Sequence, residues 1–354
     1  MWYVVCCNFY VLRIKHQDFI YNILRIAFFS AFISLIFISC NLAGVRDGGI
    51  KQGISGDVII FHAGSLSVPF RLIANEFEKE YPGTRVLLES AGSVASARKI
   101  TDLKKPCDIM ASADYRIIEE LLIPAHTGWH IPFAANEMVI AFTDKSSGSG
   151  IINDQNWPGV IAGQDIRVGR SDPDSDPCGY RTLMTFQLAE KYYGLPGLTL
   201  ELSEKDRKYI RPKEVDLLAL LEIREIDYIF IYKSVAMQHG LKFIGLPEEI
   251  NLRDPELNDH YHQAVVSIIG NKPGTTIDIR GESMVYSVTI VDKAPNPEAA
   301  GAFLDLLLDP EKGLKIMELS GQQPITSPLS SQFKLLPQVE FPDLLILGEF
   351  FRRP

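Results

Sequence analysis

Cysteine is scarce in this chain: five in 354 residues, none at the spacing of a metal-ligand set. Cys6, Cys7 and Cys40 fall in the first forty residues, so only Cys107 and Cys178 belong to the body. They could pair in an oxidising compartment, but two free, buried thiols are the expected state. Also missing is any run of Lys and Arg long enough to act as a nucleic-acid arm, and the net charge is −9. That balance does not exclude an anionic ligand, because a buried site responds to local dipoles more than to distant charges. There is no internal repeat, no low-complexity tract and no G-x-S-x-G nucleophile elbow. Apolar residues, at 46%, far outnumber charged ones, at 22%. This is globular composition in a chain long enough for two domains.

The first segment differs from the rest. Arg13, Lys15 and Arg25 form a positive flank, and Ile26 to Ser39 is almost wholly apolar. That length suits a signal-peptide core and is short for a membrane-spanning helix. The run ends Phe37-Ile38-Ser39-Cys40, which resembles a lipobox with Phe where Leu is usual. On that reading residues 1–39 are a signal peptide and Cys40 carries the lipid. Residues 40–56, Gly-rich and without periodicity, tether the body to the membrane. The plainer alternative is an uncleaved anchor with an incidental cysteine.

From Asp57 onward strands and helices alternate. Short apolar strands are expected at 58–61, 85–88 and 107–111. Helices with apolar residues at helical spacing are expected at 68–81, 94–103 and 116–122. This order predicts a parallel sheet covered by helices. Strand 138–142 precedes a second αβ block. That block has a strand at 166–169, helices at about 179–193 and 213–222, and a strand at 228–232. Residues 243–283 read as irregular, before a strand at 287–291 and a helix at 297–308. The layout is α/β with two lobes joined by a hinge. Residues 57–138 begin lobe 1, 139–242 form lobe 2, 243–330 return to lobe 1, and 331–354 form a tail.

Five polar residues stand where these elements meet. Ser65 in HAGSLSVP and Ser93 in AGSV lie between strand and helix. Asp176 in SDPDSDPCGYR and Glu214 precede or open helices, and Tyr232 ends the strand IDYIFIY. Ligands of open α/β sheets sit outside the carboxyl ends of strands, where helix N-termini offer unpaired N–H groups. Each residue also has an ordinary reading: Ser65, Ser93 and Asp176 as N-caps, Glu214 as a dipole partner, Tyr232 as core.

The segments FHAGSLSVPF, ESAGSVASARKITDL, DIMASADY, NEMVIAFTDKS, GRSDPDSDPCGYRTL and IDYIFIYKSVAMQHGL resemble the archaeal-type tungstate/molybdate-binding family WtpA/ModA, over about 58–328. The resemblance implies a type II periplasmic-binding-protein fold and a six-coordinate metal in the bound oxyanion. Asp176 and Glu214 would be the metal-coordinating pair, and Ser65, Ser93 and Tyr232 would donate hydrogen bonds to oxyanion oxygens. Asp172, Asp174 and Asp216 are nearby competitors for the carboxylate roles. The implied protein is a monomeric, lipid-anchored, extracytoplasmic component of an ABC importer. It would serve a permease and ATPase, with no cofactor, no catalysis and no nucleic acid.

Two carboxylates beside a dianion repel it unless a proton or metal intervenes. Hexavalent molybdenum or tungsten accepts further oxygen ligands and tetrahedral sulfur does not, so the pair offers a way to reject sulfate. Phosphate stays open, because a carboxylate can accept its proton, as does ferric iron, which favours tyrosine and carboxylate. A hydrolase built on Ser65 with His62 as base is a further alternative.

Overall fold

The computed structural model describes residues 53–270 and 274–325. The signal peptide, Cys40, most of the tether and the 331–354 tail lie outside the described residues. Thirteen strands are described: β1 Gly56–Ala63, β2 Thr84–Ala91, β3 Ile109–Ser112, β4 Ile131–Ala135, β5 Met138–Phe142, β6 Val168–Ser171, β7 Ile210–Arg211, β8 Tyr228–Tyr232, β9 Lys242–Gly245, β10 Val265–Ile269, β11 Thr276–Arg280, β12 Val285–Ile290 and β13 Gln323–Pro324. They form a six-stranded sheet in the order β13-β4-β12-β3-β1-β2, a five-stranded sheet in the order β7-β6-β8-β5-β9, and the hairpin β10-β11. Among the described residues no helix is long and apolar enough to cross a membrane.

Helix Ser67–Glu80 shows why the local pattern folds as it does. Phe70, Ile73, Ala74 and Phe77 recur at i, i+3, i+4 and i+7 and are all buried. Phe70 and Phe77 both meet Phe303 of helix Pro297–Leu308, with ring centroids 6.1 and 5.4 Å apart. Each such ring contributes about 1.5–3 kcal/mol by leaving water. In the second lobe Trp157 and Phe186 pack on Phe230 of β8. Every residue of β5 and β8 is buried, as expected for strands covered on both faces. Cys107 and Cys178 are free and buried.

The sheets are mixed, which corrects the expectation of a parallel sheet. Strands β2, β1 and β3 are parallel, but β12 returns antiparallel to both β3 and β4. In the second sheet β6 is parallel to β7 and β8, while β5 runs antiparallel to β8 and β9. Element order alone carries no strand direction. Residues 243–283, expected to be irregular, contain short helices and the β10-β11 hairpin. Val265–Ile269 alternates exposed and buried residues, and the Gln187 amide bonds both backbone groups of Val265. A side chain 78 positions away thus supports a strand whose own sequence is too polar to announce it. The sequence does not announce strand β4 or helices Trp157–Ala162, Leu198–Glu204 and Gly313–Leu319 either.

Candidate functional site

The parallel strands of both sheets end at one cleft. Beyond β1 lies Ser65, in a tight turn at Gly64–Leu66. Beyond β2, Ser93 opens helix Ser93–Thr101. Across the cleft, Asp176 follows β6 and caps helix Pro177–Tyr192, Glu214 follows β7 in a tight turn, and Tyr232 ends β8. All five are at most 1% exposed.

Short contacts hold the second-lobe residues together and then join the two sides of the cleft. Asp176 Oδ2 accepts from the backbone N–H of Glu214 at 2.8 Å, and Oδ1 from that of Cys178 at 3.2 Å. The N-cap reading of Asp176 therefore holds alongside its place in the cleft. A Cβ built on Gly64 would stand 2.8 Å from Glu214 Oε2, so a larger residue in this turn would push the carboxyl aside. On Gly92 a Cβ would lie 2.1 Å from the Ser175 carbonyl oxygen and 2.9 Å from Asp176 Cβ. The lobes touch there, and Ala95 N–H donates to the same carbonyl at 3.1 Å.

Each hydroxyl already accepts a hydrogen bond. Ser93 Oγ accepts from Ala113 N–H at 2.9 Å, Ser65 Oγ from the Tyr286 hydroxyl at 3.0 Å, and the Tyr232 hydroxyl from Arg181 Nη1 at 3.1 Å. Neither serine is the N-cap of its turn or helix; Ala63 and Gly92 hold those positions. A hydroxyl whose oxygen is thus occupied keeps its proton for another acceptor.

The carboxylates are held differently. Neither oxygen of Glu214 meets hydrogen-bond geometry with any protein group, although both are buried. Burial, then the neighbouring Asp176, pushes the Glu214 carboxyl well above its ordinary range, with partial relief from its own N–H and the Ser65 hydroxyl. Burial also raises Asp176, against the hydrogen bonds it accepts. The competing aspartates are engaged elsewhere. Asp172 accepts from Asp174 N–H and the Ser175 hydroxyl, Asp174 from Ile269 N–H, and Asp216 faces Lys213 at 3.6 Å.

Sequence reasoning passed over Arg181, Asp114, Asn136 and Tyr286. Arg181 is buried, donates to the Ala113 carbonyl at 2.7 Å and pairs with Asp114 at 2.9 Å across the cleft. Burial opposes its charge, but Tyr232, Asp114 and Tyr180 outweigh that and keep it protonated. Its one local signal is its place a turn into the helix that Asp176 caps. His62 is no base for Ser65: its Nδ1 faces the Ala63 carbonyl at 2.8 Å and burial lowers it to about 4. Among the described residues no group of three or more His, Cys, Asp or Glu could hold a metal ion.

Residues 58–321 match the family described as bacterial extracellular solute-binding protein. A solute-binding protein of Petrotoga mobilis is 46% identical over 297 residues, 84% of this chain and 92% of its own. The molybdate/tungstate-binding protein WtpA of Pyrococcus abyssi is 42% identical over 326 residues, again 84% of this chain and 92% of that one. Its counterpart in Thermococcus kodakarensis is 40% identical, covering 77% and 83%. The periplasmic molybdate-binding protein of Azotobacter vinelandii superposes with a TM-score of 0.54 at 16% identity, covering 75% of this chain and 98% of that one. For the sulfate-binding protein SubI of Mycobacterium tuberculosis the TM-score is 0.52 at 12% identity, covering 84% and 92%. Those two likenesses are of fold, the two-lobed type II periplasmic-binding-protein fold. The chain belongs to the bacterial extracellular solute-binding protein family, whose members capture a solute rather than transform it.

Proposed function

We propose that this protein captures molybdate or tungstate between its lobes and presents it to the permease and ATPase of an ABC importer. Ser65, Ser93 and Tyr232 donate hydrogen bonds to the oxyanion oxygens, and Asp176 and Glu214 coordinate its metal. The carrying observation is the Glu214 carboxyl, buried with neither oxygen in hydrogen-bond geometry to a protein group beside a second buried carboxyl. A group so placed is strongly disfavoured unless something electron-poor is to meet it. Three hydroxyls with protons to spare suit the oxygens of an anion, and a hexavalent metal centre suits the carboxylates. The names of the Pyrococcus and Thermococcus relatives support the same ligand class. Lipidation at Cys40 would hold the protein on the outer side of the membrane.

Calorimetric titration with molybdate, tungstate, sulfate and phosphate tests this directly. The first two should bind tightly and sulfate weakly. Ser65→Ala and Ser93→Ala should each weaken binding by about 1.5–3 kcal/mol, as for a hydrogen bond to a charged group. Sulfate or phosphate binding as tightly as molybdate would overturn the coordination reading.

A further inference from the structure

Ser65 donates usefully to an anion only if its proton points into the cleft, and a hydroxyl can rotate. What sets its direction lies at the crossover between the lobes. The chain leaves the first sheet at Ala135 and enters the second at Met138, with Asn136 between them. The Asn136 amide is buried, and its orientation follows from its partners. Oδ1 accepts from two backbone N–H groups, Glu137 at 2.9 Å and Ser234 at 3.3 Å. A flipped amide would turn N–H against N–H, so Nδ2 must face the other side. There it meets Ser234 Oγ at 2.7 Å and the Tyr286 hydroxyl at 3.0 Å. Tyr286 therefore accepts from Asn136 and sends its own proton to Ser65 Oγ, 3.0 Å away. Ser65 is left with its proton directed into the cleft, on the side of Glu214.

We infer that Asn136 and Tyr286 form a one-way hydrogen-bond relay, from lobe crossover to cleft, that holds the Ser65 hydroxyl as a donor toward an oxyanion. Both are positioning residues, acting through Ser65 and touching no ligand. The relay spans the lobes, since Ser234 lies in the helix after β8 in the second sheet while Tyr286 lies on β12 in the first. Gln322 Nε2 donates to the Ser65 carbonyl at 3.0 Å and steadies the turn from the other side. The inference rests on Ser65 being a ligand donor.

The test is a mutant cycle read by calorimetry with molybdate at fixed pH. Asn136→Asp keeps both backbone bonds but supplies an acceptor where a donor stood. Tyr286 then donates to residue 136 and becomes an acceptor, and Ser65 turns its proton away from the cleft. Affinity should fall roughly 10- to 100-fold, as for one lost bond to a charged group. Adding Tyr286→Phe removes the competing acceptor, so the double variant should recover to the level of Tyr286→Phe alone, itself within about fivefold of the parent. A new negative charge acting at a distance would weaken both Asp-containing variants alike, so absence of rescue overturns the relay. If Asn136→Asp does not fold, the same cycle with Asn136→Leu applies: its loss should vanish when Tyr286→Phe is also present, and an additive loss overturns the relay. Ser65→Ala separates the two readings. If it binds molybdate like the parent, the proposed ligand role fails. If it weakens binding while Asn136→Asp in a folded protein does not, only the relay fails.

Discussion

Glu214→Gln should separate stability from binding in opposite directions. Both Glu214 oxygens are buried and neither meets hydrogen-bond geometry with a protein group. Leaving one buried polar group unpaired costs about 1–3 kcal/mol, and more when it is charged. Gln stays neutral at every pH, keeps the shape and offers an amide donor to the adjacent Asp176 carboxylate, so the burial that pushes the Glu214 carboxyl up no longer costs stability. The ligand-free protein should therefore gain about 1–2 kcal/mol, raising its melting temperature by about 2–4 °C per kcal/mol for a body of this size. If Glu214 coordinates the metal as proposed, the same change removes that ligand, and molybdate and tungstate affinity should fall by at least about 100-fold, or roughly 2.7 kcal/mol. Thermal melts without ligand and calorimetry with both oxyanions give the two numbers. A residue kept only for the fold would lose stability and leave binding intact. If Glu214→Gln melts lower and binds molybdate like the parent, the reasoning about this carboxylate is wrong.

Gly92→Ala should block closure, because the new Cβ would sit 2.1 Å from a backbone oxygen of the opposite lobe. Molybdate should then no longer shrink the radius of gyration in small-angle scattering, and a ligand-induced decrease equal to the parent's would count against this contact as the point of closure. The raised Glu214 carboxyl also sets a pH dependence. Its folded value lies well above the ordinary 4.5, so its contribution is fully present below 4.5 and is lost as pH rises through the folded value. Ligand-free melting temperature should thus fall over that rise in the parent and fall less in Glu214→Gln; equal slopes would exclude Glu214 as the cause. Cys40→Ser should release the protein from membranes or change its processed mass, and unchanged membrane association with unchanged mass would argue against lipidation.

Much of the scaffold was legible in the sequence because its signals are local. The spacing of Phe70, Ile73, Ala74 and Phe77 specifies a helix with one apolar face wherever it packs. Asp176 before Pro177 marks a helix start, and the all-apolar runs of β5 and β8 mark buried strands. The ends of those elements are local too, so Ser65, Ser93, Asp176, Glu214 and Tyr232 could be singled out as residues at junctions. Each stood there beside an equally good local explanation. Which explanation prevails depends on what arrives from elsewhere in the chain. The Ser65 hydroxyl is oriented by Tyr286, 221 positions away, and Tyr286 by Asn136, itself 150 positions distant in sequence. Strand direction has the same character: β12 reaches its place between β3 and β4 after an excursion through the second lobe. Local propensity cannot say whether it arrives parallel or antiparallel. The burial of Glu214 without a partner is likewise invisible in RPKEVD, because burial is supplied by the opposite lobe through Gly64. Local chemistry determined the elements and their ends, and long-range packing alone decided which of those ends are buried together.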